Sequence, residues 1–128
     1  MGPTANAAAP TDAAASVAAI DLEHLARMTL GERGLEVEIL ALFDRQAAVL
    51  LARMEDSTPA AAAAFAHTLK GSALGIGAWR VAEAADAVEM KADRSDAAEV
   101  AAAVRRLAAA VDEAKAVIAD RLRPHNGF

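Results

Sequence analysis

Apolar residues along this chain recur mostly every three or four positions, so the pattern predicts helices and offers no strand candidate. Five helical segments follow from it. The first is short, Asp21 to Met28, with Ile20, Leu22 and Leu25 as docking points. Gly31 and Gly34 bracket a break. The second segment runs to about Asp56 on a stripe of Leu35, Ile39, Leu42, Phe43, Leu50 and Met54. Ser57-Thr58-Pro59 ends it and starts the third, with Thr58 as N-cap and Pro59 in the first turn, where its missing N–H is not needed. The third extends to about Leu74, after which Gly75 and Gly77 break the chain. The fourth spans about Ala78 to Ala92. Residues 93–96 form a turn, with Ser95 or Asp96 capping a fifth segment that reaches about Leu122. There Val100, Val104, Leu107, Val111, Ala114, Ile118 and Leu122 make a regular seam of the knobs-into-holes kind.

Short connections make sequence neighbours antiparallel. The expected fold is all-α: an antiparallel up-down-up-down four-helix bundle over residues 19–123, with the short N-terminal helix as an accessory. Residues 1–18, rich in Ala and Pro, have little to bury and read as a disordered tail, as do residues 124–128.

Composition sharpens this picture. Ala supplies 38 of 128 residues, and Ala loses least on entering a helix. The absence of Cys excludes a disulfide framework, a Cys-ligated metal and a thiol nucleophile. A net charge of −5 argues against nucleic acid, whose phosphates require a basic surface. No apolar run approaches the roughly 20 residues of a membrane span, and no secretory signal pattern opens the chain. A cytoplasmic protein is expected, and the abundance of Ala points to a GC-rich bacterial genome.

The chemistry concentrates in residues 66–78, AHTLKGSALGIGA. On a wheel advancing about 100° per residue, Phe65, Leu69 and Ile76 lie opposite His67 and form the core stripe. His67 therefore faces solvent, with Ala63, Ala64, Lys70, Gly71 and Leu74 around it. Gly within a helix costs about 1 kcal/mol relative to Ala, so Gly71, one turn from His67, needs a reason. A missing side chain there clears an approach to the ring. Lys70, three residues on, can reach a group attached to that ring. Neutral imidazole is a competent nucleophile near neutral pH. An exposed imidazole, a nearby cation and an open approach suit acceptance of a phosphoryl group.

The string His67, Leu69, Lys70, Gly71, Ser72 and Gly77 resembles the signature of histidine-phosphotransfer (HPt) domains, and the layout of residues 20–122 is similar to theirs. The resemblance implies a four-helix bundle with its phospho-accepting histidine exposed in mid-helix. It implies that His67 is that histidine, that Lys70 stabilises the phosphoryl group and that Gly71 keeps space for the partner. Ser72 and Gly77, with Leu69, match positions that support local packing. Leu74 is a bulky apolar residue on the exposed face, and with Ala63 and Ala64 it is a candidate partner contact. The implied partners are response-regulator receiver domains and a hybrid or sensor histidine kinase. The implied Mg²⁺ sits on the receiver, with no cofactor or metal on this chain, which would be a monomeric phosphocarrier without an ATP site.

Other readings stay beside these. Phosphate could come instead from ATP on a chemotaxis-type kinase of which this is the substrate domain, or the chain could be an adaptor that only binds receivers. Gly71 and Gly75 could be a close-packing pair of small residues. His24 and His125 read as incidental, and Trp79 as packing near a bundle end. Glu32, Arg33, Glu36, Glu38, Asp44, Arg45 and Arg53 read as the wet face of the second helix.

Overall fold

A computed structural model describes residues 18–94 and 96–124. Of the expected tails, residues 1–17 and 125–128, His125 among them, lie outside the described residues, as does Ser95. Five helices follow in order: α1 (Leu22–Met28), α2 (Arg33–Glu55), α3 (Pro59–Ile76), α4 (Trp79–Ala92) and α5 (Ala97–Leu122). There is no strand among the described residues.

The helix starts follow from their caps. The Thr58 hydroxyl accepts from the Ala61 N–H with Pro59 at the first position, and the Asp96 carboxylate accepts from the N–H groups of Ala98 and Glu99. The glycines behave less uniformly than their spacing implies. Gly34 sits inside the first turn of α2, and the turn before it is carried by Leu30 and Gly31 at positive φ. Gly75 is likewise helical, so α3 ends at Ile76 with Gly77 alone as the break. Gly77 adopts φ 82°, a left-handed conformation that closes helices where no Cβ interferes.

α2 packs on α3 and α5, and α4 packs on α3 and α5, closing a ring of four, while α1 rests on α3. The core is built largely from small side chains. α3 buries Ala62, Ala66, Leu69, Ala73 and Ile76; α4 buries Val81, Ala82, Ala85 and Val88. Burying Ala sacrifices no rotamer freedom and lets helices approach closely. The α5 seam is buried from Val100 to Ile118, with Leu122 partly covered. Two expectations shift here. Phe65 lies at the edge of the core, because Ala62 and Ala66 take the central positions. In α2 the buried line runs through Glu36, Leu40, Phe43, Ala47, Leu50 and Met54, leaving Leu35 and Leu42 exposed. This helix has more apolar residues than one face can hold, and the stripe through Leu42 is displaced by about 100° from Phe43.

Glu36 is therefore not on a wet face. It is 7% exposed and accepts from Arg33 Nη1 at 2.9 Å and from Arg121 Nε at 2.8 Å. Arg33 Nη2 also donates to the Arg121 carbonyl. A carboxylate this buried is costly without a partner, so the start of α2 and the end of α5 are tied together by this triad.

α1 is fastened at Gly77. The Asp21 N–H donates to the Gly77 carbonyl at 2.8 Å. A Cβ on Gly77 would lie 3.0 Å from the Asp21 carbonyl oxygen and 3.2 Å from His24 Cδ2, so crowding and φ both demand glycine. His24, expected to be incidental, helps to hold this dock. Its Nε2 lies 3.1 Å from the Gly75 carbonyl, which can only accept, and its ring meets Trp79 edge-on at 4.9 Å. Trp79 Nε1 donates to Asp21 Oδ2 at 3.0 Å, which places Trp79 in packing near a bundle end as expected. The His24 N–H, then the Trp79 indole, hold the Asp21 carboxyl below its ordinary value of 3.8. That stabilisation is complete above the ordinary value and vanishes as pH falls through the lowered one. Asp21→Ala should accordingly reduce the melting temperature at pH 7, with the difference from wild type closing in strong acid. A constant difference down to pH 2 would show that the carboxylate charge contributes nothing.

Candidate functional site

α3 places His67, Lys70, Gly71 and Leu74 along one side of the bundle. The His67 side chain is 72% exposed. The surface around it is low: Ala64 and Gly71 are exposed and Ala63 is half-buried, while Leu74 protrudes further along. Beneath this surface Leu69 is fully buried. Ser72 is half-buried and Gly77 ends the helix. A Cβ at Gly71 would meet nothing within 4 Å, and neither would one at Gly75. No packed neighbour explains either glycine among the described residues, so the close-packing pair has no counterpart there. What Gly71 leaves open is the space outside the helix.

α4 supplies the groups that face the histidine. His67 Nδ1 lies 3.1 Å from Glu89 Oε1. Lys70 Nζ lies 2.9 Å from Glu89 Oε2 and 3.0 Å from Asp86 Oδ1. One carboxylate thus joins the ring to the ammonium. An ionised carboxylate only accepts, so the bond requires the proton of neutral His67 on Nδ1 and leaves the lone pair on Nε2. Glu89, then Asp86, raise Lys70 above its ordinary value of 10.5, against a smaller opposing effect of burial, so its charge is assured at neutral pH.

The spacing matches across the pair of helices: His67 and Lys70 are three apart on α3, as Asp86 and Glu89 are on α4. The sequence pattern marks the first two and gives no comparable mark to the second two. Their signal lay in the short connection. Folding the chain back about Gly77-Ala78 sets Lys70 opposite Ala85 and His67 opposite Val88, each one residue from the acidic partner.

The other expected features fall elsewhere. His24 belongs to the α1 dock. No group of three or more His, Cys, Asp or Glu is arranged to hold a metal among the described residues, and no described helix is long and apolar enough to cross a membrane. The surface depressions lined by Arg33 with residues 120–124, and by Arg80, Glu83 and Arg106, do not include His67.

Chemically, the site offers a nitrogen lone pair, a carboxylate that can balance positive charge developing on the ring and an ammonium for an incoming anion. The bond to Glu89 has a direct spectroscopic consequence. Long-range ¹H–¹⁵N spectra of neutral His67 should show the Nδ1–H tautomer, and Glu89→Ala should return it toward the Nε2–H form that imidazoles ordinarily prefer. A wild-type ring already in the Nε2–H form would contradict this geometry.

Comparison with known families matches residues 38–117 to the Hpt domain. Comparisons with curated proteins and with solved structures returned no match. The matched span begins within α2 and ends within α5, and so contains both His67 and the acidic pair on α4. Since it covers more than half of the sequence, the chain belongs to the Hpt domain family, the phosphocarriers of phosphorelays.

Proposed function

We propose that this protein carries phosphoryl groups between receiver domains, accepting them on Nε2 of His67. The observation that carries this reading is the exposed His67 ring tied through Nδ1 to Glu89, with Lys70 held by the same carboxylate. In the forward step the Nε2 lone pair forms the N–P bond as the acyl O–P bond of a receiver phospho-aspartate breaks. The bonding pair leaves with the receiver carboxylate. The ring keeps its Nδ1 proton and becomes cationic, facing Glu89. The return step reverses these changes toward a second receiver.

Each remaining residue has a role in this scheme. Lys70 neutralises phosphoryl charge. Gly71, Ala63 and Ala64 keep the surface low enough for in-line approach, and Leu74 meets the partner. Leu69, Ser72 and Gly77 hold the segment in place. The divalent metal and most transition-state stabilisation belong to the receiver, and the chain needs no cofactor of its own. The carrier acts as a cytoplasmic monomer. Its working unit is residues 19–123, an antiparallel up-down-up-down bundle with α1 as accessory. The closed ring of contacts among α2, α3, α4 and α5, joined by short connections, supports that arrangement. The paired Lys70 and Glu89 favour a working carrier over an adaptor that only binds receivers.

The test is transfer from a phosphorylated receiver, with the label examined for chemical stability. An acid-labile, alkali-stable phosphate should appear on the wild type and be absent from His67→Gln, whose melting should stay near wild type because the ring is mostly exposed. Gly71→Leu should fold normally and accept phosphate at least tenfold more slowly. A folded wild-type protein that takes no label from a broad panel of receivers would overturn the proposal, and a normal rate in Gly71→Leu would remove the role given to that glycine.

A further inference from the structure

Asp86 takes no part in the transfer just described, yet its Oδ1 lies 3.0 Å from Lys70 Nζ. Its side chain is 50% exposed, so burial does not force the pairing. Glu89 already gives Lys70 a carboxylate at 2.9 Å. One ammonium therefore serves two carboxylates, and with His67 neutral the four side chains carry one net negative charge. A phosphoryl group on Nε2 adds a dianion while making the ring cationic, which deepens that charge by one more. Apart from the ring itself, Lys70 is the cation in this cluster, and phosphoryl oxygens compete for it with the Asp86 carboxylate.

We propose that Asp86 is a positioning residue that draws Lys70 toward α4 and thereby shortens the lifetime of the phosphohistidine. The proposal rests on His67 being the acceptor. Decay proceeds as a water oxygen bonds to phosphorus and the N–P bond breaks. The bonding pair returns to Nε2, both water protons leave with the phosphate, and the ring becomes neutral. A cation on the phosphoryl oxygens stabilises the phosphorylated state, because the bound group is a dianion and its oxygens carry more charge than those of a departing metaphosphate. A Lys70 drawn away by Asp86 gives less of that protection. The same withdrawal moves the exchange equilibrium toward the receiver, which suits a carrier that must release its cargo.

Three variants test this, each labelled from a phosphorylated receiver and then separated from it. Asp86→Asn should slow phosphohistidine decay by about two- to fivefold, the range expected for a half-exposed charge pair, and raise the phosphorylated fraction at equilibrium with the receiver by a similar factor. Asp86→Glu, which keeps the charge, should stay near wild type. In a Lys70→Ala background, Asp86→Asn should have little further effect. The slowing should also fade at about 1 M salt, where exposed charges are screened. Decay and equilibrium unchanged in a labelled Asp86→Asn protein would overturn this proposal while leaving phosphotransfer intact. An undiminished effect without Lys70 would overturn the route through Lys70. A wild type that accepts no label would overturn the carrier reading and this proposal together.

Discussion

Everything at the site depends on the register of α3 against α4, and two residues set that register. Gly77 turns the chain through a left-handed conformation that other residues enter only with strain, and Ala78, fully buried, starts the return. A connection this short leaves little freedom to slide one helix along the other. His67 then meets Glu89, and Lys70 meets Asp86 and Glu89. The same glycine receives the Asp21 N–H, so α1 closes over the junction that aligns the site. A chain with one more residue between α3 and α4 would rotate the acidic pair by about 100° away from the histidine.

A nucleophile that must meet a second protein has to be exposed, yet an exposed side chain is ordinarily free to sample several rotamers. Here the ring is oriented from one end only. Nδ1 is tied to Glu89, while the surface formed by Ala63, Ala64 and Gly71 stays low. The support lies below, where Leu69, Ala66 and Ala73 are buried against neighbouring helices. Small side chains thus serve two ends on one helix: inside they allow close packing, and outside they leave room. The Glu89 carboxylate meets both His67 and Lys70, favouring the Nδ1–H tautomer of the first and, with Asp86, the charged form of the second.

Much of this was legible in the sequence. The helices and the α5 seam followed from three- and four-residue spacing, and the wheel placed His67 in solvent without knowledge of any neighbour. What stayed hidden depends on contacts between segments. Leu42 and Ala47 are both admissible core residues in an apolar-rich helix, and only packing against α3 and α5 selects Ala47. Glu36 looks like any surface carboxylate until Arg121, 85 residues away, comes to meet it. His24 looked incidental because its partner is a backbone carbonyl, which leaves no trace in a sequence. Asp86 and Glu89 look like ordinary charges of an amphipathic helix until the turn at Gly77 brings them beside His67.

The bond from Nδ1 to Glu89 leaves Nε2 as the His67 nitrogen open to phosphorus. The most direct measurement is the identity of the phosphorylated nitrogen, read from ¹⁵N–³¹P coupling in uniformly ¹⁵N-labelled protein after transfer from a receiver. One phosphorylated histidine is expected, His67, coupled through Nε2, with the Nδ1 proton retained. Phosphorus on Nδ1 of His67, or on His24, would contradict it.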